Sequence, residues 1–163
     1  MRAALAVFSL LLLTPAAFAQ SSRDACDMVE QSQLETLFGA APEIVEQHGA
    51  GSGVSLCHWS GGAGKGVRLH SITAASQNVV GGTPLDYFLQ HQAYQIESLT
   101  AANATELPGP WQAAYIVDVT TEPNPEQVYS VTFINQDDTV TVETYGLPKA
   151  ETIGLAEAVA ERM

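Results

Sequence analysis

Two cysteines, Cys26 and Cys57, and four histidines, His48, His58, His70 and His91, are the side chains of this sequence best suited to nucleophilic or metal chemistry. A reactive cysteine needs a neighbourhood that stabilises its thiolate, such as a second cysteine in CxxC or an adjacent positive charge. Asp24 and Asp27 instead place negative charge beside Cys26, which disfavours the thiolate. Neither HExxH nor another tight ligand spacing links the histidines, so no metal ligand set is expected. If the hairpin loop is Gly61 to Gly64, Ser60 pairs with Lys65 and Cys57 with Arg68, and this register points His58 and His70 to opposite faces of their hairpin; a loop one residue longer or shorter changes that relation. There is no GxSxG, and no His–Asp pair stands out, so no catalytic residue is assigned.

The remaining polar clusters have ordinary structural explanations. GSG at Gly51 to Gly53 and GGAGKG at Gly61 to Gly66 have the glycine content of a phosphate loop. The second leads into a strand rather than a helix N-terminus, and no Ser or Thr follows Lys65, so a hairpin loop is expected. Glu122 and Glu126, and Asp137 and Asp138, cluster in loops beside turn residues. A hydrolase pair would need two carboxylates across a cleft, one of them kept protonated by an apolar setting. Asp137 and Asp138 lack the alternating acids around a glycine of an EF-hand. Asn103-Ala-Thr105 fits a glycosylation acceptor. With no chemistry specified, no cofactor is expected. Trp59, Trp111 and Tyr115 are the aromatic candidates for a binding surface.

The elements that hold these residues start after a leader. Arg2, the apolar run LAVFSLLLL and Ala17-Phe18-Ala19 have the build of a secretory signal over residues 1–19, with cleavage before Gln20. That run is too short to span a membrane, and Gln20 stands where a lipoprotein would carry cysteine. The expectation is a periplasmic or secreted protein with neither membrane span nor lipid anchor. Residues 20–163, roughly 140 in all, suffice for one domain with a single core. In an oxidising compartment two cysteines most often pair, and a bridge over some thirty residues is worth about 3.5 kcal/mol by loop closure. The formal charge is −12, one unit more negative without Arg2. Few cations argue against nucleic acid as a partner. The charge favours solubility, with steering of a basic protein as the alternative.

Along this domain, a helix is expected at Glu30 to Phe38, closed by Gly39, with Ser32 and Glu35 at capping-box spacing. Val54 to Ser60 and Lys65 to Ala74 are a strand pair. With the register above, Cys57 and Trp59 share one face, and Val54 and Leu56 share the other with Val67 and Leu69. Thr83-Pro84-Leu85-Asp86 opens a second helix, with Leu85, Phe88, Leu89, Ile96 and Leu99 as its apolar stripe. Trp111 to Thr120, Gln127 to Asn135 and Thr139 to Tyr145 form a meander in which Val131 and Phe133 face Val140 and Val142. Pro148 opens a last helix to about Arg162. The expected fold is α+β, an antiparallel sheet with helices packed on its faces, in the order helix, strand pair, helix, three-stranded meander, helix. Glu43 to Gln47 and Thr105 to Leu107 are short-strand candidates outside that order.

CDMVEQSQLETLFG, the later CHW, LPGPWQAAYIV before the meander and the Ala-rich last helix together resemble small exported bacterial cell-envelope proteins of unknown function. The resemblance implies a Cys26–Cys57 staple and an α/β sandwich of PsbP-like architecture, and it carries over no catalytic residue. The chain departs from the family in lacking a lipid-acceptor cysteine, and in having PGPWQAAY in place of a glycine-rich GxGDxAY turn. The function class expected from all of this is a non-enzymatic binding or accessory protein of the envelope, with another envelope protein as a possible partner. The alternatives are a periplasmic hydrolase-like enzyme, or a metal-binding protein using His58, His70 or His91. Composition does not specify an oligomeric state.

Overall fold

A computed structural model of the chain describes residues 23–77, 81–98, 104–120 and 127–163. The signal-like leader, Asn103, Glu122, Glu126 and Leu99 lie outside the described residues. Helices α1 (Gln31–Phe38), α2 (Pro84–Ser98) and α3 (Lys149–Ala160) pack on one antiparallel sheet. Its strands are β1 (Glu43–His48), β2 (Val54–Gly62), β3 (Lys65–Ile72), β4 (Ala104–Glu106), β5 (Ala113–Asp118), β6 (Val128–Asn135) and β7 (Asp138–Tyr145). The spatial order is β1-β2-β3-β7-β6-β5-β4. The architecture is the expected α+β class, but the expected element order is corrected by β1 and β4. Each is an edge strand added outside a hairpin. β1 carries a bulge between Ile44 and Glu46, which interrupts the regular ladder that an edge would offer to another chain.

Alternation along the strands decides the two faces. Cys57, Trp59, Val67, Leu69, Val131, Phe133, Val140 and Val142 point one way into a core closed by Leu34 and Phe38 of α1 and by Leu155, Ala156 and Val159 of α3. The meander register is as expected, Val131 opposite Val142 and Phe133 opposite Val140. The first hairpin is shifted by one residue from expectation: Cys57 lies opposite Leu69, not Arg68. Its turn is shorter than the expected Gly61–Gly64 loop. Ala63 and Gly64 both take positive φ, as a tight hairpin turn requires, and Gly61 is absorbed as a bulge between the pairs Ser60–Gly66 and Gly62–Lys65. Val67 and Leu69 therefore share the face of Cys57 and Trp59.

The bridge Cys26–Cys57, with a Cα separation of 5.1 Å, ties a 3-10 turn (Ala25–Asp27) to β2. Such bonds persist in oxidising compartments. Asp24 caps that turn by accepting from the Cys26 amide at 2.9 Å, and the buried Ser55 hydroxyl accepts from the Ala25 amide at 2.8 Å. α1 begins one residue later than expected. Its capping box is made by Glu30 and Gln33 rather than by Ser32 and Glu35, because the chain leaves the 3-10 turn extended at Glu30. Gly39 closes it in the left-handed region. α3 docks through a buried hydroxyl pair, Thr144 on β7 and Thr152, 2.6 Å apart.

α2 lies on the other face, over β4 and β5, where Phe88 meets Tyr115, Val117 and Ile134. Its inward stripe is corrected at one position. Leu89 is exposed, and Gln92 is buried in its stead, donating to the Ala114 carbonyl at 2.8 Å. A buried amide is stable there because its donor is satisfied. Among the described residues no helix is long and apolar enough to cross a membrane.

Candidate functional site

Among the described residues, helices α1 and α3 seal one sheet face, whereas α2 covers only the β4–β5 end of the other. The uncovered part of that second face lies over β2, β3 and β7, where Leu56, Arg68, His70, Thr141 and Glu143 are only partly buried. A cavity of about 330 Å³ lies on these five residues. A second, of about 360 Å³, runs under α2 between Tyr87, Phe88 and His91 and the strand residues Tyr115, Thr132 and Thr141. Thr141 lines both, so they form one groove across the sheet.

The floor of the groove is a row of cross-strand neighbours. His70 on β3 lies opposite Thr141 on β7, Thr141 opposite Thr132 on β6, and Thr132 opposite Tyr115 on β5. With strands about 4.8 Å apart, the four positions span about 14 Å. The row is joined by hydrogen bonds at its α2 end. Thr132 and Thr141 hydroxyls lie 3.1 Å apart, and the Tyr115 hydroxyl is 3.2 Å from His91 Nδ1. Burial pushes the Tyr115 phenol above its ordinary pKa, so it stays protonated. Burial, and then the Arg68 charge, lower the His70 pKa from 6.5, so at neutral pH the ring is neutral, with one donor and one acceptor.

The one-residue register shift has a direct consequence for the site. His58 and His70 were expected on opposite faces; the observed pairing puts both on the open face, with His58 opposite Arg68. His58 sits near Tyr145, ring centroids 6.0 Å apart. Tyr145 donates to Glu143, and burial together with that carboxylate pushes the phenol pKa up to about 12. Arg68 lies 3.9 Å from Glu46 on β1. His48 is exposed at the sheet edge beside Glu46, and His91 reaches the groove from α2. Among the described residues no group of three or more His, Cys, Asp or Glu side chains is placed to hold a metal ion.

The three aromatic candidates are separated by the fold. Trp59 is buried in the core beneath α1. Trp111 stacks on Phe133 at 5.4 Å and donates from Nε1 to the Leu107 carbonyl at 2.8 Å. Tyr115 alone lines the groove. Asp137 takes a positive φ in the β6–β7 turn, and Asp138, the first residue of β7, accepts from the Ala74 amide at 3.1 Å and so ties the start of β7 to the segment that follows β3. Thr132, Thr141 and Tyr87 were not singled out from sequence. The alternation of Thr139, Thr141 and Glu143 along β7 marks one polar face, and it was the available signal.

Another opening, of about 420 Å³, lies between α1 and α3 and is lined by Ser32, Gln33, Thr36 and Leu37 against Glu151, Gly154 and Leu155. Among the described residues Glu151 is its only ionisable lining group, and no aromatic side chain lines it. Comparison with protein-family models, with curated proteins and with solved structures returned no match.

Proposed function

We propose that this chain is an exported, non-enzymatic binding module of a bacterial cell envelope, of the stapled α/β type that its sequence resembles, and that it holds its ligand on the open face of the sheet. The observation that carries this reading is the asymmetry of the two faces. One is sealed by α1, α3 and the disulfide-held turn; the other is half covered and leaves a groove floored by polar side chains. A groove of this size with a few convergent polar groups is the usual form of a small-ligand site. Export is supported by the leader and by the disulfide. The net charge of −12 favours a basic surface on any protein partner.

The enzyme alternative would draw on His70 and Glu143, which line one cavity. Glu143 accepts instead from Tyr145, and its strand partner is Arg68. That arrangement neutralises the carboxylate's surroundings rather than aiming it at the imidazole. The test is a thermal-shift screen of a small-metabolite library against the wild type and Thr141→Arg, which fills the middle of the groove. A ligand that raises the wild-type Tm and leaves the variant unmoved is expected. Ligands that stabilise both proteins equally would sink the proposal.

A further inference from the structure

The ligand class follows from three properties of the groove taken together. Among the described residues no Asp, Glu, Lys or Arg lines the larger cavity, in a chain with 18 acidic residues and a formal charge of −12. The smaller cavity holds one charge of each sign, Arg68 and Glu143, paired across β3 and β7, so an ionic ligand would find no net counter-charge in the groove. The hydrogen-bonding groups of the floor, the Thr132 and Thr141 hydroxyls, the Tyr115 phenol and the His70 imidazole, are each donor and acceptor at once. They suit a partner that also does both at every position, which is a hydroxyl. Against this polar line stand apolar and aromatic walls, Val54 and Ile72 on the strands and Tyr87 and Phe88 on α2. Tyr87 is 48% exposed, so much of its side chain remains open to a ligand.

A rim of hydroxyls and flat C–H faces is the surface of a sugar ring. We infer that the groove under α2 takes a neutral, polyhydroxylated ligand, a carbohydrate of about disaccharide length, with its hydroxyls along the His70–Thr141–Thr132–Tyr115 row and one ring face against Tyr87. The row's length of about 14 Å accommodates two rings end to end. Binding is weak and enthalpic, as expected where neutral hydrogen bonds replace those to water. This inference rests on the groove being a binding site, and its test separates the two.

Isothermal titration calorimetry of the disulfide-bonded protein is run with maltose, cellobiose and diacetylchitobiose, and a fluorescence titration in parallel with N-phenyl-1-naphthylamine as an apolar, neutral probe. At least one disaccharide is expected to bind. Tyr87→Ala should weaken it about tenfold, and Thr141→Val about fivefold. Tyr94→Ala, on an exposed residue of α2 outside the cavity, should leave it unchanged. Disaccharide binding indifferent to Tyr87→Ala and Thr141→Val would place the sugar elsewhere and overturn the inference. Silence from every disaccharide, with the apolar probe bound and then lost in Thr141→Arg, would overturn the carbohydrate class while leaving the groove a site. Silence from all four would overturn both.

Discussion

Removing the Cys26–Cys57 bridge, by reduction or by the double change Cys26→Ala and Cys57→Ala, acts mainly on the unfolded chain. The bridge closes a loop with a sequence separation of 31 residues. Loop closure over that span is worth about 3.7 kcal/mol at 25 °C. For a domain of about 140 residues, with an unfolding entropy of about 2.1 cal/mol/K per residue, the melting temperature should fall by about 12 °C. The native turn keeps other anchors: the Ala25 amide remains bonded to Ser55, and Asp24 still caps it. The reduced protein should therefore hold the same far-UV circular dichroism at room temperature and melt earlier. Differential scanning calorimetry of the oxidised, reduced and double-alanine forms measures this directly. Equal melting temperatures for oxidised and reduced protein would refute the reasoning, and so would loss of native circular dichroism at room temperature on reduction.

Three further perturbations test packing and protonation. At Gly61 an added Cβ would fall 2.1 Å from Phe38 Cγ, so Gly61→Ala should cost about 2 kcal/mol in urea denaturation, and much less in a Phe38→Ala background. Thr152→Val strands the fully buried Thr144 hydroxyl, at a cost of about 2 kcal/mol. Adding Thr144→Val should recover part of this loss, and a double-mutant cycle reads the coupling. His70 has a folded pKa below 6.5, so as pH falls through about 6.5 the unfolded chain takes up its proton first and stability declines. The advantage of His70→Gln over wild type in urea midpoint should grow between about pH 7.5 and pH 5.5, and stay constant above that range; an advantage independent of pH would contradict the desolvation of this ring.

The parts of the fold that were legible in sequence are those encoded by short-range alternation. Val131 and Phe133 against Val140 and Val142 specify the β6–β7 register, because a slip by one residue would expose all four. The β2–β3 hairpin has the same alternation but a turn of glycines. Ala63-Gly64 makes the tight turn and Gly61 becomes a bulge, and nothing in SGGAG says which residue is the extra one. That single residue decides whether His58 and His70 share a face. The groove was less legible still. It depends on β3 pairing with β7, whose sequences lie far apart, and on α2 turning Gln92 inward and Leu89 outward, where the Gln92 amide joins the Leu107 amide on the Ala114 carbonyl. The aromatic signals of Trp59 and Trp111 led toward the core, because large rings in strands are used for packing at least as readily as for recognition.

Amide chemical-shift mapping of the isotope-labelled protein, titrated with whichever ligand the thermal-shift screen returns, tests the open face most directly as the place where this protein binds. Shifts are expected at His70, Thr132 and Thr141 on the strands and at Tyr87 and His91 on α2, with the sealed face silent. Shifts confined to Ser32, Thr36, Glu151 and Gly154, in the opening between α1 and α3, would contradict it.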